Sequence, residues 1–113
     1  MKLRTIVDLL EAKVIVGEER LDEDVEKAFA SDLMSDVLTL HETPLLLTGL
    51  CNPQTIRTCE MANLDFVVVV RNKKVTEEMI ELAEDNDMVV MECGYSLYRA
   101  CGKLYEAGMP PLY

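Results

Sequence analysis

The chain has 113 residues, half of them apolar, which suffices for one buried core and is too short for two. Its 21 acidic and 11 basic side chains leave a formal charge of −10, which disfavours phosphate backbones and anionic membranes as partners. Only 5% of the residues are aromatic and none is Trp, so a stacking platform for nucleic acid is not expected.

In "RTIVDLLEAK", Ile6, Val7, Leu9 and Leu10 recur at helical spacing, with Thr5 as the expected N-cap. "KVIVG" reads as a strand ended by Gly17, and "EERLDED" as a charged connection. "VEKAFAS" sets Val25, Lys27, Phe29 and Ser31 against Glu26, Ala28 and Ala30, the alternation of a half-buried strand. Ser31 is then placed to cap a short helix, "DLMSDVLTL". "TPLLLTGL" is a strand with Pro44 at its tolerated first position.

A helix from Pro53 to Asn63 follows, then "DFVVVV", which is apolar on both faces as a helix-covered central strand requires. "RNKK" is a turn, and Thr76 caps a helix whose stripe of Met79, Ile80, Leu82 and Ala83 faces inward. The opposite face holds Glu77, Glu78, Glu81, Glu84 and Asp85, with Asp87 just beyond and no base among them. This is a solvated surface or a docking surface for a basic partner. "MVVME" is the last strand, and a helix from Ser96 to Glu106 ends at Gly108 and Pro110. The alternation from Pro44 onward predicts one three-layer α/β domain over residues 1–113, with a mostly parallel sheet of about five strands and helices on both faces.

Lys2 and Arg4 precede "TIVDLLEAK" rather than an apolar leader core, and no apolar run approaches the roughly 18 residues of a spanning helix. The expectation is a cytosolic protein with reduced thiols.

All four cysteines fall in two stretches of one pattern, "CNPQTIRTC" and "CGYSLYRAC". Within each, the second cysteine lies two helical turns on, over about 10 Å along the axis, beyond the reach of a disulfide. No Cys-x-x-Cys is present, so a zinc or iron–sulfur set is not indicated. Cys59 and Cys101 fit buried helix faces, and Arg57 and Arg99 fit helix surfaces. Cys51 and Cys93 each follow a strand, where parallel sheets bind ligands, and can line one pocket if their strands are close. A redox or cluster role for these two, with ligands from outside the chain, is the lesser alternative.

Neither a phosphate loop nor a Gly-x-Gly-x-x-Gly motif is present. His41 is the single histidine and reads as a surface loop residue; no nucleophile or paired-carboxylate constellation suggests an enzyme. The most unusual stretch is "ASDLMSDVL". On a helix, Ser31-Asp32 and Ser35-Asp36 fall on one side, a turn apart, and form a polar pocket wall. The alternative is local capping with the rest in solvent. "TGLCNPQT" adds Thr48, Gly49, Cys51, Asn52, Gln54 and Thr55 at a strand end, where helix N-terminal amides can take an anionic group. With Cys93, these residues make up the candidate small-ligand site; no metal or cofactor is expected.

The order of these pieces resembles the DRTGG domain family, especially its short stand-alone members. The likeness runs through "SDLMSDVL", "LLLTG" with its helix, "LDFVVVV", "VTEEMIELAEDNDMVVM" and the closing "SLYRACGKLYEAG", and is strongest at 31–37 and 102–108. The resemblance implies a fold like the N-terminal domain of HPr kinase/phosphorylase and of some Mur ligases. It also implies a regulatory, dimer-forming role rather than catalysis, as in the inserts of certain pyrophosphatases and long phosphotransacetylases. The family's namesake Gly-Asp-Arg and Thr-Gly-Gly correspond here to "LCN" and "RNK", so contacts through those motifs do not transfer. Ser31, Asp32, Ser35 and Asp36 are the positions that inherit an expectation of function.

The reading that follows is a non-enzymatic, cytosolic regulatory or sensor domain, a homodimer that binds a small molecule such as a nucleotide. The alternative is an interaction module docked through its acidic helix on a redox enzyme such as a hydrogenase, since stand-alone members are often encoded beside such enzymes.

Overall fold

The all-apolar run Phe66–Val69 forms β4, the middle strand of five, in a computed structural model that describes residues 1–113. Before it come α1 (Leu3–Leu10), β1 (Lys13–Val16), a 3-10 turn at Glu18–Arg20, β2 (Ala28–Ala30), α2 (Met34–Val37), β3 (Leu45–Thr48) and α3 (Pro53–Met61). After it come α4 (Glu77–Asp85), β5 (Val89–Glu92) and α5 (Leu97–Glu106). The sheet order is β1-β5-β4-β3-β2, parallel throughout except for β1, which runs antiparallel to β5.

Because β3, β4 and β5 step across the sheet in one direction, right-handed crossovers place α3 and α4 on the same face. There Ile56, Cys59, Met79 and Ala83 pack on Leu46, Val67, Val69 and Val90. α1 and α5 cover the other face, where Leu3, Ile6, Leu10, Ala100 and Leu104 meet Leu45, Leu47, Val68 and Met91. Each fully buried Leu, Ile, Val or Met contributes about 1.5–3 kcal/mol of transfer free energy. The strand pleat divides these residues between the two cores, so the domain is a three-layer α/β sandwich with a mostly parallel sheet.

Side chains cap three helices. Asn52 accepts from Thr55 N at 3.1 Å, Thr76 from Met79 N at 3.3 Å and Ser96 from Arg99 N at 3.1 Å. α1 departs from expectation, because it begins at Leu3 and Thr5 lies inside it. Leu3 N donates to Glu23 O at 3.0 Å and Arg4 N to Leu21 O at 2.9 Å, so the incoming loop satisfies the first amides and no capping side chain is needed.

β2 is also shorter than "VEKAFAS". Val25 leaves the sheet, donating its N–H to Met1 O at 2.7 Å, and is buried against the α1 and α5 face, whereas Phe29 packs toward the opposite face. The outer edge of β2 is partly covered by the C-terminus: Ala28 N donates to Pro110 O at 3.0 Å, and Leu112 N to Ala28 O at 3.1 Å. No helix of the chain is long and apolar enough to cross a membrane.

Candidate ligand site at the carboxyl edge of the sheet

Four parallel strands end at one edge, and the segments that leave them meet there. After β2, Ser31 Oγ accepts from Leu33 N at 3.0 Å and closes a local turn. Asp32 then reaches across to the end of β3, where its Oδ1 accepts from Gly49 N at 2.6 Å and from Thr48 Oγ1 at 3.1 Å. Thr48 is fully buried, and its hydroxyl also accepts from Leu50 N at 3.1 Å. Thr55 Oγ1 donates to Leu50 O at 2.7 Å, which holds the loop onto the start of α3. Asp32 Oδ1 is thus occupied, while Oδ2 stays open at an exposed position.

The Ser-Asp segment does not form the expected wall. α2 starts at Met34, so Ser31 and Asp32 precede it, and Ser35 and Asp36 are exposed on its single turn. Local side chain–backbone bonds compete with helix at Ser and Asp, and here they win at 31–33. Of the expected site residues, hydrogen bonds join Asp32, Thr48 and Gly49 directly, Thr55 and Asn52 follow through Leu50, and Ser31 adjoins Asp32. Gln54 is exposed on α3, with Nε2 3.5 Å from Thr58 Oγ1.

The two leading cysteines do not share a pocket. Cys51 Sγ lies 3.2 Å from Lys74 O and 3.9 Å from Met79 Sδ, on the α3 and α4 face. Cys93 continues the pleat of Val89 and Met91 onto the opposite face, where its buried Sγ donates to Leu10 O at 3.3 Å. β4 lies between their strands. All four thiols are free. Burial raises the pKa of Cys51 and Cys93 above the ordinary thiol value and pushes Cys59 up to about 12, so these sulfurs are poor nucleophiles at neutral pH. No three Cys, His or carboxylate side chains converge as a metal site.

The turn after β4 is the part of this edge that the sequence reading passed over. Arg71 and Asn72 are consecutive left-handed residues, with φ of 65° and 58°. Their amides donate to Tyr95 O at 2.7 Å and to Cys93 O at 3.0 Å, which fixes the turn over the end of β5. Buried Glu92 holds it from below, accepting Val75 N at 2.7 Å, with Lys74 Nζ 3.8 Å from its other oxygen. Lys73 Nζ donates to Gly49 O at 2.7 Å. A Cβ on Gly49 would stand 3.3 Å from Arg71 Cδ and 3.4 Å from Asp32 Oδ1, so this glycine is the floor between the two side chains. Beyond Gly94, the Tyr95 hydroxyl donates to the Glu11 carboxylate, and the Arg99 guanidinium lies 4.0 Å over the Tyr95 ring. Three bases in four residues after the central strand of an acidic chain were the available signal.

Elsewhere, an apolar groove of about 190 Å³ runs between β2, α5 and the C-terminal segment, lined by Ala28, Ala30, Leu47, Cys101, Tyr105 and Pro111 among others. Arg57 is on the α3 surface, paired with Glu78 at 3.1 Å.

The architecture places the chain among three-layer α/β domains whose parallel strands present their carboxyl ends as one open edge. No family model matches the chain, and no curated protein matches it. Among solved structures, it is similar to the CBS and DRTGG domains of the regulatory region of Clostridium perfringens pyrophosphatase, determined in complex with the activator diadenosine tetraphosphate. The match has a TM-score of 0.75 at 19% identity and covers 96% of this chain and 47% of that one. The likeness supports a DRTGG-like fold, in a chain that spans about half the length of its match.

Proposed function

We propose that this chain is a non-enzymatic regulatory domain of the DRTGG kind, working in the cytosol as a homodimer and binding a small molecule such as a nucleotide. The observation that carries the reading is the junction at Asp32. One carboxylate oxygen joins the ends of β2 and β3 through Thr48 and Gly49, and the other is left for a ligand hydroxyl or amine. The likeness to a regulatory region supports the reading.

The test is a thermal-shift screen of nucleotides and common metabolites, since a ligand selective for the folded state raises its melting temperature. Asp32→Ala is expected to remove the shift and Asp36→Ala to leave it. An unchanged shift in Asp32→Ala would sink the site assignment.

A second reading has its own observation: Glu77, Glu81, Glu84 and Asp85 are exposed on α4 with no basic partner. Under this reading α4 docks on a basic surface of a redox enzyme. Neutralising Glu77 and Glu81 should then abolish co-purification and spare ligand binding; retained co-purification would remove the idea.

A further inference from the structure

The arginines divide by location. Arg4, Arg20 and Arg57 are each ion-paired to a carboxylate, while Arg71 and Arg99, both at the carboxyl edge, are not. Lys73, on the same turn as Arg71, gives one hydrogen bond to Gly49 O and has no carboxylate partner either. In a chain with 21 acidic side chains to 11 basic ones, three unpaired cations at one edge run against the composition.

We infer that Arg71 and Lys73, which meet at Gly49, form an anion subsite for the phosphate groups of a small ligand, beside Asp32. The inference rests on the reading of the carboxyl edge as the ligand site, and it assigns that ligand's charge and chemical class. The carboxylates of this edge each have another partner, and Asp32 keeps one oxygen open. Asp32 takes Gly49 N and Thr48 Oγ1, Glu92 takes Val75 N and stands near Lys74, and Glu11 takes the Tyr95 hydroxyl.

The turn is also held from both sides. Lys73 is tied to the end of β3, and the Arg71 and Asn72 amides are tied to the segment after β5, so the turn's backbone and the Lys73 ammonium are in place before any ligand arrives. Gly49 offers no side chain between Arg71 and Asp32, so a ligand can lie against the backbone there. A singly charged carboxylate neutralises one of the two cations. A di- or polyphosphate matches both, with a planar guanidinium fork and a point-charge ammonium as its usual partners. With Asp32 Oδ2 open to a hydroxyl, the edge suits a ligand that carries both phosphate and sugar or base donors.

Calorimetric titration of the full chain with tripolyphosphate, and separately with adenosine, tests this. Tripolyphosphate should bind, weaken steeply with added salt, and lose about tenfold or more in affinity in Arg71→Gln/Lys73→Gln. Arg57→Gln, which removes a paired arginine, should bind like the wild type. The glutamines keep the length of the side chains over Gly49, and a thermal melt confirms folding.

Absence of tripolyphosphate binding overturns the subsite, as does equal affinity in the double variant or equal loss in Arg57→Gln. The two levels of the reading separate cleanly. Adenosine binding that Asp32→Ala abolishes, without any tripolyphosphate binding, discards the subsite and keeps the ligand edge. Tripolyphosphate binding lost in the double variant but untouched by Asp32→Ala supports the subsite and discards the role of Asp32.

Discussion

The two ends of the sheet treat charge in opposite ways. At the amino end, Arg20 donates to Glu23, to Asp65 at 3.1 Å and to the Asp87 carbonyl, with its guanidinium 5.0 Å over the Phe66 ring. Lys27 pairs with Glu42 at 2.9 Å and Arg4 with Asp22 at 3.2 Å. At the carboxyl end, Arg71, Lys73 and Arg99 stand without carboxylates, and Gly49 leaves backbone open between Arg71 and Asp32. At the first end these three bases are paired in closing the fold. At the second the three named bases have no carboxylate partner, as the proposed ligand edge requires.

The glycines give the largest test of this contrast. A Cβ on Gly17 would lie 2.6 Å from Met88 O, against backbone that cannot swing away, and its φ of 89° already disfavours a side chain. Gly17→Ala is therefore expected to cost about 3 kcal/mol in chemical denaturation. Gly49→Ala meets only the flexible Arg71 Cδ at 3.3 Å and the Asp32 carboxylate, so it should cost about 1 kcal/mol or less while impairing ligand binding. Equal stabilities for the two variants would erase the distinction.

Next in size is the arginine comparison. Arg20→Ala leaves Asp65 and the Asp87 carbonyl without their donor and should destabilise by about 2 kcal/mol, whereas Arg71→Ala should fall within about 0.5 kcal/mol. Urea midpoints at constant m-value decide it.

The smallest effect concerns pH. Hydrogen bonding to Arg20 holds the Glu23 carboxyl below the ordinary Glu value. Because the folded-state pKa is the lower one, this stabilisation is complete above the ordinary carboxylate range and is lost as pH falls through the folded value. In Glu23→Gln, the acid-side loss of stability should be shallower than in the wild type. An identical slope would show that Glu23 is not held by Arg20 in solution.

Much of the fold was legible because apolar runs carry their own instructions. "LLLT", "FVVV" and "VVME" are buried strands, and Asn52, Thr76 and Ser96 stand one residue before the helices they cap. The candidate site was legible only in part. Asp32, Thr48 and Gly49 were named from their chemistry, but the helix expected to carry Asp32 begins two residues after it. Cys51 and Cys93 occupy like positions after their strands, yet the pleat sends their sulfurs to opposite faces. "RNKK" read as a turn and nothing more, because its importance lies in what surrounds it.

What the sequence determined by itself was the order of strands and helices and the class of the domain. Period-two and period-3.6 burial are local properties that each segment states alone. Only the tertiary structure decided which polar groups spend themselves on each other and which remain free. That outcome depends on partners far apart in the chain: Asp32 with Gly49, Lys73 with Gly49, Arg20 with Asp65. Arg20 and Arg71 look alike as letters, and the carboxylates that folding brings to the first and withholds from the second make one a clasp and the other an open hand.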